Sequence, residues 1–222
     1  MPTGRARAAG RTRARGPARA RAEAARAKGE GAPVFAYLPA PVYALATSAQ
    51  ATRTMNLVSY CAPVSIAPPR FALGLYKGTL SHELFLENRR GVLALLRPCH
   101  APLSNLLGKT SGRDVDKAKA ARDRGFDTVE AFGEEVLASA AGVVELTWPR
   151  DREPVDCGDH TVVICDVARH WTAPDVASTA RADALDVLGV RRVLAGRVDG
   201  AAGSVAGGDG GVPLRCRVPL GL

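Results

Sequence analysis

Apolar and polar positions recur with two different periods along this chain, and the switches between them mark its elements. The stretch "APVFAYLPAPVYALATSA" (32–49) reads as a broken strand. Pro39 and Pro41 confine it to a sheet edge, because proline cannot donate to a ladder. Residues 54–66 read as a second strand, and Pro68-Pro69 forces an extended turn. "RFALGLYK" (70–77) alternates and is rich in strand formers. The period then lengthens. Leu80, Leu84 and Phe85 recur at helical spacing behind Thr79 or Ser81 as N-cap, with Gly78 permitting the turn before them and Gly91 ending the helix.

"GVLALLR" (91–97) reads as a buried strand and "DVDKAKAARDRG" (114–125) as a solvated helix. "AGVVELTW" (141–148) and "HTVVICDVARHW" (160–171) are strands, and "ARADALDVLG" (180–189) has a helical pattern. "VRRVLAGRV" (190–198) fits either period, and "DGAAGSVAGGDGG" (199–211) reads as a flexible Gly-rich loop or linker. Five or six short strands with few helices, over roughly 140 residues, make a mainly β fold: a closed or partly open antiparallel barrel.

At 222 residues the chain has room for one domain plus trimmings. Its net charge of +8 resembles a nucleic-acid signal until it is located. Residues 1–31 hold eight Arg and one Lys against Glu23 and Glu30, which leaves the rest of the chain close to neutral. The basic patch of a nucleic-acid-binding domain is therefore not expected in the folded part. The first segment has no aromatic residue and no Leu, Ile or Val, so it cannot join a core. Its Arg-rich, acid-poor composition fits a transit peptide addressed to a plastid (chloroplast), with mitochondrion or cytoplasm as alternatives. The chain thus divides into a tail (1–31), a barrel domain (32–172) and a C-terminal extension (173–222). No run of 18 uninterrupted apolar residues occurs, so no membrane-spanning helix is expected. Five cysteines with no C-x-x-C pair point to reduced thiols, with Cys61 and Cys165 as small buried residues.

Three groups of residues carry candidate chemistry. Lys77, a glycine turn, then Thr79 and Ser81 at a helix start make either an anion cradle or an ordinary capped helix. Asn56 and Ser59 lie in an otherwise apolar strand. They either read a ligand edge or satisfy backbone groups, and their spacing of three puts them on opposite faces of an ideal strand. His160, in the turn "CGDH", could bind a nucleotide, relay a proton or be structural. His82 and His100 have no supporting pattern. Rossmann, Walker A and G-x-S-x-G motifs are absent, as is any cysteine, histidine and carboxylate cluster at metal-ligand spacing.

In order, "MNLVSYCAPVSIAPP" (55–69), "LGLYKGTLSHE" (73–83), "GKTSGRDVDK" (108–117) and "GDHTVVICDV" (158–167) resemble the flavin reductase-like FMN-binding split-barrel family, in its flavoredoxin-type branch. The resemblance covers about residues 35–170 and implies a split β-barrel binding FMN at the interface of a homodimer. It implies that Asn56 and Ser59 contact the flavin ring edge and ribityl chain, and that Lys77, Thr79 and Ser81 hold the phosphate. Ser111 and Lys117 would then lie near the flavin or its entrance, and His160 would stand where nicotinamide is accepted. The implied function is an oxidoreductase passing electrons from NAD(P)H through FMN to a flavin or small acceptor. The alternative is an FMN-binding electron carrier without its own nicotinamide reaction. Related split barrels bind haem or a pyridoxal-type phosphate instead of FMN, and His100 or His160 would then be an axial ligand. Neither nucleic acid nor membrane is an expected partner.

Overall fold

The computed structural model describes residues 39–179 and 184–185. The expectations for the tail 1–31 and the Gly-rich segment 199–211, and most of the helix expected over 180–189, lie outside the described residues.

Strands β1 (Tyr43–Ala49), β2 (Thr52–Val58), β3 (Cys61–Ile66), β4 (Pro69–Tyr76), β5 (Arg90–Leu95), β8 (Gly142–Thr147), β9 (Val155–Cys157) and β10 (His160–Thr172) form one antiparallel sheet. β6 (Thr128–Ala131) and β7 (Glu134–Leu137) form a separate hairpin. The helices are α1 (Leu80–Asn88), α2 (Ser104–Lys109), α3 (Lys117–Arg122) and α4 (Pro174–Thr179). The sheet runs β2-β1-β5-β8-β10-β4-β3, with β9 against β10. Its two outermost strands, β2 and β3, are joined by only Ser59 and Tyr60. Two residues cannot span a flat sheet of this width, so the sheet curls until its ends meet. No ladder joins β2 to β3 there, which leaves the barrel split at that corner.

The alternation along β1 and β5 shows why their sequences read as continuous apolar runs. Ala44, Ala46, Val92 and Ala94 pack with Leu103, Leu107, Ala121 and Val136 outside the barrel, while Leu45 and Leu93 point inward to Phe71, Leu73, Phe85 and Val163. Both faces are buried, so the runs 44–46 and 92–95 are apolar at every position. Phe85 of α1 is fully buried in the inner cluster, a burial that contributes roughly 1.5–3 kcal/mol.

Several boundaries differ from those expected. Residues 54–66 are two strands and a corner, because Tyr60 turns its carbonyl to accept from the Gly74 N–H at 2.6 Å. β1 begins after both prolines and lies between β2 and β5, so it is an interior strand. Helix α1 ends earlier than expected, at Asn88, capped by Arg89 in the left-handed region at φ 56°. Gly91 lies within β5, where an added Cβ would stand 2.9 Å from Leu45 Cδ1 and 3.2 Å from Phe85 Cδ2. It is a packing glycine of the strand. The helix expected over 114–125 is confined to Lys117–Arg122. Cys99 is disulfide-bonded, against the expectation of reduced thiols throughout, while Cys61, Cys157 and Cys165 are free.

Candidate functional site

A cavity of about 270 Å³ opens where β2, the end of β4, the start of α1 and the segment 108–117 converge. Strand periodicity places Thr54 and Asn56 on its wall and turns Met55 to the core. β4 delivers Tyr76 to the rim. Gly78, at φ +80°, then reverses the chain into α1.

Thr79 is the N-cap of that helix. Its Oγ accepts from the His82 N–H at 3.2 Å and donates to the Tyr76 carbonyl at 2.8 Å, and Ser81 Oγ lies 3.2 Å away. No acceptor among the described residues meets the N–H groups of Leu80 and Ser81. These first-turn donors, with the positive end of the helix dipole, face the cavity wall.

The opposite wall is built by a short loop. Ser111 organises it, accepting from Arg113 N–H through its hydroxyl at 3.1 Å and from Asp114 and Val115 N–H through its carbonyl. Gly112 lets the loop press onto β2 and α1: an added Cβ would meet Thr54 Oγ1 at 2.3 Å and Leu80 Cδ2 at 3.2 Å. Arg113 ties the loop to the first wall, donating to the Gly78 carbonyl at 3.3 Å and pairing with Glu83 at 2.5 Å.

Asp116 caps α3 by accepting from Lys119 N–H at 3.0 Å, so Lys117 is the first helical residue. Its side chain is 3% exposed. The ammonium donates to Asn56 Oδ1 and to the Leu107 carbonyl in the last turn of α2, both at 2.9 Å. No carboxylate among the described residues lies within ion-pair distance of it. Burial pushes its pKa down to about 8, since a desolvated ammonium is disfavoured.

Of the residues singled out from sequence, Asn56, Thr79, Ser81, Ser111 and Lys117 line this one cavity. Ser59, Lys77 and His160 do not. Ser59 is half-buried, one residue past the end of β2. Lys77 turns outward to Asp156 at 2.7 Å and the Gly158 carbonyl at 2.8 Å. His160 is bonded to Asp159 at 2.7 Å and packs between Tyr60 and Tyr76, ring centroids 4.6 and 5.3 Å away. Tyr76 therefore links the His160 cluster to the cavity rim. The buried His100 has both ring nitrogens engaged, Nδ1 accepting from Arg97 N–H and Nε2 meeting Ser139 Oγ, so it offers no axial ligand. Thr54, Tyr76, Lys109, Gly112 and Arg113 also line the cavity and were not anticipated. The signal was present in "GKTSGR", where a lysine and two hydroxyls sit between two glycines and an arginine follows.

A family model for the flavin reductase like domain matches residues 35–187. The chain belongs to this family. Among solved structures, this flavin reductase-like chain is similar to an FMN-binding protein from Thermus thermophilus solved with bound 1-cyclohex-2-enone. They share 23% identity at a TM-score of 0.56, over 65% of this chain and 77% of that one. It is also similar to the NADH:FAD oxidoreductase SgcE6 of Streptomyces globisporus C-1027, at 17% identity and TM-score 0.56, over 64% and 81% of the two chains. A third likeness is to flavoredoxin from Methanosarcina acetivorans, at 14% identity and TM-score 0.54, over 66% and 74%. At these identities the likenesses show the fold, the split barrel of flavin reductase-like proteins. No curated protein matches the chain.

Proposed function

We propose that the cavity holds FMN and that the protein passes electrons from NAD(P)H through it to a flavin or small acceptor. The observation that carries this reading is one cavity joining two kinds of recognition. Free helix N–H groups and the hydroxyls of Thr79 and Ser81 suit a phosphate. The amide nitrogen of Asn56 suits a ring-edge carbonyl, and the buried ammonium of Lys117 suits an anionic group of the same ligand. The donor set therefore fits FMN. At about 270 Å³ the cavity falls just below the size of whole-ligand pockets, so part of the ligand extends beyond it.

When bound, FMN supplies the hydride and electron-transfer chemistry, and the protein supplies binding, orientation and electrostatics. Ser111 and Gly112 shape the wall that excludes water from one side. Tyr76 and His160 offer aromatic surface at the rim, where a nicotinamide ring would approach. A relative solved with NAD and FAD fragments is consistent with that donor class.

A homodimer belongs to the same proposal. Edge strand β3 and its corner leave Ile66 95%, Tyr60 62% and Val64 53% exposed. An uncovered apolar sheet edge is a pairing surface, and a second copy laid on it would also enclose the ligand's outer part.

The visible spectrum of purified full-length protein, after incubation with FMN, tests the reading. Two flavin bands retained through gel filtration support it, and a colourless protein overturns it. The Thr79→Ala, Ser81→Ala double variant should lose FMN on the same column. Retention equal to wild type would remove the phosphate assignment. NAD(P)H consumption with added FMN separates the reductase from a carrier, which would stay yellow without turnover.

A further inference from the structure

We propose that Lys117 is the counter-charge completed by the ligand, so that FMN binding is coupled to proton uptake by this lysine. The inference rests on the FMN reading above. An ammonium has three N–H donors, and two are spent on Asn56 Oδ1 and the Leu107 carbonyl. Both acceptors are neutral. A buried ammonium held only by neutral acceptors on a cavity wall is an incomplete ion pair, and burying such a charge is costly unless an anion joins it.

The charged groups on the elements packed against Lys117 do not fill this role. On its own helix, Lys119 pairs with Asp123 and Arg122 with Glu135. Asp116, at the N-cap, accepts from the Lys119 N–H. On the hairpin, Glu134 pairs with Arg90, and Glu130 is exposed. Arg53 of β2 and Lys109 of α2 are cations, as is Arg113 in the loop. Asp114 in the loop is exposed. Among the described residues, those lining the cavity around Lys117 are thus net positive and include no anion.

The geometry also gives Asn56 a defined part. With its oxygen held by Lys117, its amide nitrogen is the end left to the ligand, its hydrogen bonding among the described residues limited to a long 3.4 Å approach to the Leu57 carbonyl. The lysine therefore fixes which end of the carboxamide is presented. That favours a ligand with an acceptor at this position and disfavours one presenting a donor.

Burial holds the free lysine near pKa 8, and an anion beside it restores the charged form. Because a phosphate monoester has its second pKa near 6, the ligand itself is fully ionised between pH 7 and 9. Titration calorimetry of the full-length protein with FMN, in two buffers of different ionisation enthalpy, reads the coupling. The expected result is uptake of roughly half a proton or more per FMN near pH 8.5, and about tenfold weaker binding at pH 9 than at pH 7.

Lys117→Met should bind FMN weakly with a flat profile over the same range. Asn56→Asp gives the lysine an internal carboxylate, so it should also flatten the profile while the lysine remains. FMN binding with no proton uptake, or an unchanged slope in either variant, would overturn the coupling and leave the FMN reading standing. Absence of FMN binding at pH 7 would overturn both.

Discussion

Two lysines flank the same strand-to-helix turn and meet opposite fates. Lys77, at the end of β4, has an exposed carboxylate and a backbone carbonyl within 2.8 Å, and its charge is satisfied on the surface. Lys117 is 3% exposed, lines the cavity and is held by two neutral acceptors. Sequence position favours Lys77 as the phosphate ligand, because it directly precedes the helix mouth. The structure shows that availability of a charge depends on its partners more than on its nearness in sequence. A lysine already paired must break that pair before it can serve a ligand, whereas an unpaired buried one gains from any anion that arrives.

The largest expected effect separates the two directly. Lys117→Met should weaken FMN binding by roughly 10- to 100-fold, the worth of a hydrogen bond to a charged group. Lys77→Met should change it by less than about threefold, since exposed pairs contribute little. Fluorescence quenching of FMN measures both, and equal losses would erase the distinction. The free protein carries a second mark of it. A lysine whose folded pKa lies near 8, below its unfolded value, binds fewer protons folded than unfolded between the two values. The stability of the unliganded wild type should therefore rise from pH 8 to 10 relative to Lys117→Met, read from urea midpoints. A fall would mean that the ammonium is stabilised within the fold.

Next in size is the wall that keeps Lys117 dry. In Gly112→Ala the new Cβ would lie 2.3 Å from Thr54 Oγ1, so the loop must lift. Overpacking of this kind costs about 1–3 kcal/mol. It should lower the urea midpoint and loosen FMN together, whereas Gly158→Ala, on the Lys77 side, has open space for its Cβ but is strained at φ +78°, so it should lower the midpoint and leave FMN untouched. Loss of FMN in Gly158→Ala as well would show that the two sides act as one.

His160 stands on the Lys77 side but touches Tyr76 at the cavity rim. Aromatic pairs contribute roughly 0.5–1.5 kcal/mol, so His160→Ala should slow reduction by NAD(P)H by up to about tenfold. FMN affinity should move less. Equal effects on both would make the histidine a support for the cofactor and not for its donor.

How much of this was legible beforehand follows from which interactions are local. The periods of β4, β5, β10 and α1 are written in their own residues, and so is the Thr79 cap. The corner at Ser59–Tyr60 was hidden because the apolar run continues through it. What breaks the strand is the close approach of Gly74, which is far along the chain. The β6–β7 hairpin escaped notice because its turn uses Phe132 and Gly133, both at positive φ, where asparagine and glycine are the usual signal. In the site, "GKTSGRDVDK" was visible as a motif, yet nothing local to it shows that Lys117 bonds to Asn56, 61 residues away. Pairing across such distances is a property of the fold.

The smallest expected effect is the sharpest test of the Lys77 side. Hydrogen bonding from Lys77 holds the Asp156 carboxyl below the usual carboxylate range, and Gly158 N–H also donates to it, at 2.8 Å. A depressed carboxylate supports the fold above its unfolded pKa and loses that support as pH falls through the folded one. Asp156→Asn removes the charge but keeps the shape, which frees Lys77 without disturbing the turn. If Lys77 is committed to the surface, FMN affinity should stay at the wild-type value, while the urea midpoint at pH 7 falls only slightly because the lost pair is exposed. Tighter FMN binding in this variant would mean that Asp156 had been competing with the phosphate for the lysine, and Lys77 would return to the site beside Thr79 and Ser81.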